Sequence, residues 1–253
     1  MRYAMKMLVI FYIVSLSSPL MAQEKEKKMA TPTPGGNNII KINLPALAFK
    51  NISMEYERKI GKKTSFAVNV HTIPFSQLPF QSLFKNIGGN SDVQYDQFKL
   101  GTFGIAPEIR FYLGKKGALR GFYIAPFFSY NDYKVSLPVK YSNNTKTGIF
   151  DGKLDATTGG LQFGTQFRLS KHLTLDWWIF GPNYGSASGL FTFTGALSSS
   201  DQSDLSTQLE QLKNDAPLNS IKSYTVSSTG ASITAKGPWG GLRGLGFNLG
   251  FRF

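Results

Sequence analysis

From Leu245 to Phe253 the chain alternates without a break. Leu245, Phe247, Leu249, Phe251 and Phe253 share one face, and Gly244, Gly246, Asn248, Gly250 and Arg252 share the other. A period of two belongs to an extended strand, whose successive side chains point to opposite faces. One face here is wholly apolar and aromatic. The other is small, polar or charged. A chain built this way needs an apolar environment on one side of a sheet and a narrow or polar space on the other.

The same pattern recurs through the chain. Ile40, Ile42 and Leu44 alternate with Lys41 and Asn43, and Ile52, Met54 and Tyr56 with Ser53, Glu55 and Glu57. Phe66, Val68 and Val70 oppose Ala67, Asn69 and His71, while Phe103 to Leu113 oppose Gly104, Ala106, Glu108, Arg110 and Tyr112. Three more runs, 122–130, 161–169 and 173–180, follow the same rule. With the C-terminal segment this predicts eight strands, an even number as a closed antiparallel bacterial barrel requires. Gly61-Lys62-Lys63, Lys115-Lys116-Gly117 and Lys171-His172 read as tight turns, and 76–97, 134–157 and 182–240 as long loops, parts of which could extend the strands. Short turns at one end and long loops at the other are the outer-membrane arrangement. The connection near Lys50-Asn51 departs from it by being short.

A soluble sandwich or lipocalin-like barrel would put the apolar face inside. The polar set argues otherwise, because it contains Gly104, Ala106, Gly164, Gly244, Gly246 and Gly250. A solvent-facing surface has no need of such small residues, whereas the interior of an eight-stranded barrel does. Composition agrees. Phe, Tyr and Trp number 21, 11 and 3, and charged residues make up 17%, below the usual fraction of about 25%. The fold expected is therefore all-β: an eight-stranded antiparallel transmembrane β-barrel of the outer-membrane type over 39–253, with short helices in extracellular loops.

Residues 1–22 read as a signal peptide. Arg2 and Lys6 precede the apolar run Met7–Val14, and small and polar residues lead to Ala22. The run is too short for a spanning anchor. Cleavage after Ala22, or one residue later, removes two of the formal +13 charges. Residues 23–38, rich in charge and then in Pro, Gly and Thr, read as a disordered linker. The chain has no cysteine, which excludes disulfides, thiol catalysis and a lipid-anchored N-terminus.

Alternation places Lys41, Glu55, Glu57, Glu108, Arg110, Arg168, Asp176 and Arg252 in the lumen, four basic and four acidic. Buried charges must pair, so an internal ion-pair network filling the barrel is expected, with a gated or small-solute channel as the alternative. No catalytic, cofactor or metal site is expected. The chain lacks G-x-S-x-G, H-E-x-x-H and a P-loop, and has two histidines. His172 falls in a turn. His71, near Glu55 or Glu57, is the candidate base for a lipid-modifying activity, a lesser reading. The positive charge does not imply nucleic-acid binding in an exported chain. It suits outer-membrane lipids and lipopolysaccharide phosphates, or simple solubility.

Two loop stretches carry a helical period. Phe80, Leu83, Phe84 and Ile87 fall on one face after Pro79, and Leu205, Leu209 and Leu212 on another, with Ser203 placed as N-cap. These faces could cap the mouth, lie at the membrane interface or dock a protein partner.

Three stretches also resemble a family of small outer-membrane β-barrels of unknown function from Bacteroidota: Asn51–Arg58, Pro107–Gly114 with Gly121–Pro126, and Gly159–Gly164 with Leu173–Asp176. The resemblance covers roughly 38–253 and implies an OmpA-like or OmpW-like barrel. It supplies no activity and no catalytic residue, and 182–240 is longer than its pattern. Phe247, Leu249, Phe251 and Phe253 resemble the C-terminal signal read by the barrel-assembly machinery, and no peptidoglycan-binding domain is expected to follow. The expected function is a non-enzymatic outer-membrane protein with a structural or surface-interaction role through its loops. Transport or binding of a small or hydrophobic solute is the alternative.

Overall fold

A computed structural model describes residues 36–77, 79, 97–141, 145–214, 220–244 and 246–253. The signal peptide, most of the linker, and Phe80, Leu83, Phe84 and Ile87 of the first loop helix lie outside the described residues.

Among the described residues eleven strands and two helices follow in order: β1 (Asn38–Asn43), α1 (Leu44–Leu47), β2 (Ile52–Lys59), β3 (Thr64–Gln77), β4 (Lys99–Tyr112), β5 (Gly121–Tyr141), β6 (Lys146–Arg168), β7 (Leu173–Phe180), β8 (Pro182–Thr194), α2 (Ser199–Asn214), β9 (Ile221–Ser227), β10 (Gly230–Leu242) and β11 (Gly246–Arg252). Eight of the strands close a ring. The antiparallel pairs run from β1 to β2 and on through β3, β4, β5 and β6 to β7, then to β11 and back to β1. The protein is an eight-stranded antiparallel β-barrel, as the alternation predicts. Asn38 and Phe253 seal the last seam by exchanging backbone hydrogen bonds of 3.0 and 2.9 Å. Closure leaves no unpaired edge around the ring.

The tight turns fall where expected, and they define one end of the barrel. The opposite end is unlike the sequence expectation. Segments 134–157 and 182–240 are largely strand rather than loop. β5 and β6 stay paired from Gly121 with Gln166 up to Tyr141 with Lys146. β8 continues beyond β7 and pairs with the upper half of β6, while β10 pairs with β8 and β9 with β10. These strands form a tall sheet above one side of the ring. β1 and β2 are only 6 and 8 residues long, against 21 and 23 for β5 and β6. The wall is therefore low on one side and high on the other.

The physical reason these strands were hard to read is an inversion of faces. Lower on β5, Phe122, Phe128 and Tyr130 are exposed outside, while Tyr123, Ala125, Ser129 and Asn131 are buried inside. Higher on the same strand, with parity unchanged, Asp132 and Lys134 take the outside, and Tyr133, Val135, Leu137 and Tyr141 continue the inner face. β6 repeats the change. Phe167 and Leu161 are exposed outside below, and Asp151 and Lys153 above, where Phe150 and Leu154 turn inward. The lower half is apolar outside and polar inside. In the upper half the inner face is apolar and charged residues enter the outer face, beside Ile149 and Leu190. β7 and β8 also change phase, because the register on β6 shifts between Phe163 and Gly164.

Helix α2 lies on the apolar inner face of the upper sheet. Leu205 and Leu209 are buried with Leu197 and Ala231, and Tyr141, Phe193, Tyr224, Val226 and Ile233 surround them. Leu212 is half-buried. The helix starts a turn earlier than expected, with Ser198 rather than Ser203 as its cap. The Asp201 backbone N–H donates to Ser198 Oγ at 3.2 Å, and the Ser198 N–H donates to Asp201 Oδ2 at 3.0 Å, a reciprocal capping box. The Ser198 donors hold the Asp201 carboxyl below its ordinary value. Leu209→Ala is expected to cost about 2–5 kcal/mol locally. The check is faster proteolysis and hydrogen exchange in α2 and β9, with the ring's exchange unchanged.

Candidate functional site: the ion-paired lumen

The lower lumen is the densest collection of titratable groups in the described residues. Its layout follows from register. Lys41 on β1 stands directly opposite Glu55 on β2, and Asp176 on β7 lies opposite Gln166 on β6 and Asn248 on β11. Glu108 and Arg110 occupy successive inward positions of β4. The side chains of Lys41, Glu55, Glu57, Glu108, Arg110 and Asp176 are all fully buried.

Lys41 Nζ reaches three carboxylates, Glu55 at 2.8 Å, Glu57 at 2.6 Å and Asp176 at 2.6 Å. Arg110 reaches four. Its Nη2 donates to both oxygens of Glu55 at 2.8 and 2.9 Å, and its Nη1 to Asp176 at 2.6 Å and Glu57 at 3.3 Å. Its Nε donates to Glu108 at 2.5 Å. Neutral donors fill the remaining lone pairs. Tyr112 Oη donates to Glu57 at 2.6 Å and Tyr123 Oη to Asp176 at 2.8 Å, and Ser65 Oγ also donates to Glu57. The Tyr123 ring lies under the Arg110 guanidinium, 4.4 Å from ring centre to Cζ. Gln166 Oε1 accepts from Lys41, Arg110 and Tyr112 at 3.0–3.3 Å.

Below this layer the β4–β5 turn closes the lumen. Leu119 is 0% exposed and packs with Ile39, Tyr112 and Tyr123. It takes φ of 67°, a conformation that a bulky side chain rarely adopts. Its burial under the barrel holds it there. Above the layer sits a polar tier. Asn69 Nδ2 donates to Ser53 Oγ at 3.0 Å, Asn131 Nδ2 to Ser129 Oγ at 2.8 Å, and His71 Nδ1 lies 3.4 Å from Asn69 Oδ1. Glu55 and Glu57, the acids considered for His71, are engaged by Lys41 and Arg110 instead. His172 Nδ1 meets the Arg252 carbonyl at 3.0 Å and its ring stacks on Phe251.

Six of the eight predicted lumen charges thus meet in one cluster, and two do not. Arg168 and Arg252 face the turn end, where Arg168 Nε donates to Ser170 O at 3.3 Å and Arg252 Nε to Gly36 O at 2.7 Å. The strand parity is right for both. They stand at the ends of β6 and β11, beyond the depth at which Asp176 and Glu57 lie.

A residue absent from the prediction joins in their place. Arg243 Nη1 donates to Glu108 Oε2, and its Nη2 lies 3.8 Å from Glu55. The guanidinium stacks 4.1 Å above Trp178 and 5.0 Å from Phe127. Strict alternation with Gly244 assigns Arg243 to the outer face. The chain leaves strand geometry between β10 and β11, and that break turns Arg243 inward. The available signal was an arginine in the glycine-rich run Gly240-Gly241-Leu242-Arg243-Gly244, where a strand is easily broken. The cluster then holds four carboxylates against three cations rather than four against four.

Chemically this arrangement pairs charge, with one formal negative charge in excess. Every carboxylate faces a cation, and among the described residues no group of three or more His, Asp or Glu is arranged to hold a metal. On the outside of β11, Phe247, Phe251 and Phe253 are exposed, with Trp177 stacked on Phe247. Leu249 is exposed on the same face.

Arg110→Leu would leave four buried carboxylates facing Lys41 and Arg243. A loss of about 3–5 kcal/mol is expected from breaking a buried pair, read as a fall in the urea midpoint of unfolding. Arg168→Ala, outside the cluster, should stay within about 0.5 kcal/mol of the parent.

A comparison with protein families matches residues 9–184 to a family described as "Protein of unknown function (DUF3575)". No curated protein and no solved structure matches. The match ends at the start of β8, so the upper hairpin, α2 and the closing strand β11 follow it. Covering well over half of the sequence, it shows that the chain belongs to the DUF3575 family of proteins of unknown function.

Proposed function

We propose that this protein is an outer-membrane β-barrel with a filled lumen, acting through its tall loop-end sheet as a structural or surface-interaction protein. The observation that carries the reading is the inversion of faces on β5 and β6. Up to Tyr130 the outer surface is a continuous band that includes Ile40, Met54, Phe66, Ile105, Ile109, Phe122, Leu161 and Phe251, all exposed. An apolar patch that surrounds the molecule far exceeds what water-soluble monomers carry. A closed barrel is the β-structure that satisfies its backbone inside lipid. Above Tyr130 the charged residues Asp132, Lys134, Asp151 and Lys153 enter the outer face and the inner face becomes a core, the arrangement of a sheet standing in water.

Three further features support this location. The N-terminal segment reads as a signal peptide, the strand number is even, and aromatic residues alternate at the C-terminus as in substrates of the barrel-assembly machinery. The OmpA-like and OmpW-like resemblance and the Bacteroidota origin belong to the same reading. A non-enzymatic role fits a lumen whose carboxylates are engaged by cations and tyrosines. The filled lumen also weighs against solute passage, because Leu119 and the ion-paired layer lie across the path. Specificity would then reside in the upper sheet and α2, toward a protein partner or the lipopolysaccharide that surrounds them.

The purified, refolded protein in planar bilayers should give no steady open-channel current. Sustained porin-like conductance would overturn the filled-lumen reading. In a Gram-negative host the mature chain should fractionate with the outer membrane and migrate faster unheated than boiled. Recovery as a soluble periplasmic protein would overturn the location.

A further inference from the structure

The two ends of the barrel differ in charge as sharply as its two halves differ in polarity. Six lysines are exposed on the three tight turns: Lys59, Lys62, Lys63, Lys115, Lys116 and Lys171. No aspartate or glutamate lies within 58–64, 113–121, 168–173 or 251–253. Among the described residues, every acidic side chain outside the lumen is at the opposite end, on β5, β6 or α2. Lysines there find partners, as Lys153 does with Asp132 at 3.7 Å and Lys146 with Asp201 at 3.9 Å. The six turn lysines form no ion pair among the described residues.

Backbone geometry gathers these charges. Ala118 N–H donates to the Lys62 carbonyl at 2.9 Å, and Tyr112 N–H to the Lys63 carbonyl at 2.8 Å. The β2–β3 and β4–β5 turns are thereby tied together, and Lys62 and Lys63 are held beside Lys115 and Lys116. Like charges fixed this way repel one another unless anions gather on them. A second regularity indicates which anion. Each turn pairs its lysine with an exposed aliphatic residue one or two positions away: Lys59 with Ile60, Lys115 with Leu113, Lys171 with Leu169. A cation directly beside the edge of an apolar band matches an amphiphile, with its charge at the boundary and its tail along the band.

We propose that the turn end is a binding surface for anionic phospholipid headgroups, holding phosphodiester lipids of the phosphatidylglycerol type in the leaflet that meets the turns. The surface rests on the reading of the barrel as membrane-spanning. Headgroup phosphates accept from the lysines, acyl chains run along Ile60, Leu113 and Leu169, and the repulsion among the turns is relieved. The loop end, with mixed signs, has no equivalent preference.

The test uses the refolded mature protein in detergent, its fold confirmed by heat-modifiable migration. It is incubated with equal amounts of phosphatidylglycerol and phosphatidylcholine, and retained lipid is measured by native mass spectrometry. Phosphatidylglycerol should be retained several-fold over phosphatidylcholine. In the combined Lys62→Ser, Lys63→Ser, Lys115→Ser and Lys116→Ser variant the preference should fall to near parity, since one lysine beside a headgroup is worth up to about fivefold. A control of equal charge loss at the other end, with Lys134, Lys140, Lys153 and Lys236 changed to serine, should keep it. Equal retention of the two lipids, or equal loss in both variants, would overturn the proposal. Displacement of the lipid by millimolar inorganic phosphate would also overturn it, by showing a site for soluble anions. Failure of the parent to insert into vesicles of phosphatidylcholine alone would instead strike at the membrane-spanning reading, so the two failures are distinguishable.

Discussion

The rest of the barrel depends on one layer of ion pairs. Lys41 and Arg110 between them engage Glu55, Glu57, Glu108 and Asp176, and those six residues come from β1, β2, β4 and β7. Gln166 adds β6, and Arg243 adds the join between β10 and β11. Burying such charges is costly, and their attraction roughly offsets the cost only when geometry and hydrogen bonding are complete. Their larger effect is on register. A slip of one residue on any of these strands would move its charge to the outer face and bring a bulky apolar side chain into the lumen. The layer makes that slip prohibitive on several strands at once, so the ring has one way to close.

The ring itself was legible in the sequence because a period of two survives wherever one face must be apolar and the other must be small or charged. Lys41 with Glu55 and Glu57, Glu108 with Arg110, and Asp176 could be assigned to the lumen from alternation alone. What alternation could not supply was depth. Arg168 and Arg252 have the correct parity but stand at the turn ends of β6 and β11, outside the ion-paired layer, and parity carries no information about height along the barrel. Arg243 failed in the opposite way, since its strand breaks beside it and parity no longer applies.

The upper sheet was missed for a different reason. Through Tyr133, Val135, Leu137, Phe150 and Leu154 the apolar residues are still alternate, yet they occupy the face that was polar a few residues earlier. A reader tracking one apolar face sees the pattern end at Tyr130 and infers a loop. β8 compounds this, because Gly185, Ser186, Ala187, Ser188 and Gly189 resemble a linker by composition. Neighbouring strands supply what those small residues lack. Their backbones pair with β6 on one side and β10 on the other, and α2 covers the apolar positions further up.

The oblique rim has a consequence for how such a chain can diversify. β7 and β11 are neighbours in the ring, and everything between them leaves and returns at adjacent positions. A hairpin standing on two adjacent posts can be lengthened, shortened or given a new helix without disturbing any pair that closes the wall below. The segment from β8 to β10 thus stands as a turret on the ring, and the pairs that close the wall below do not set its length.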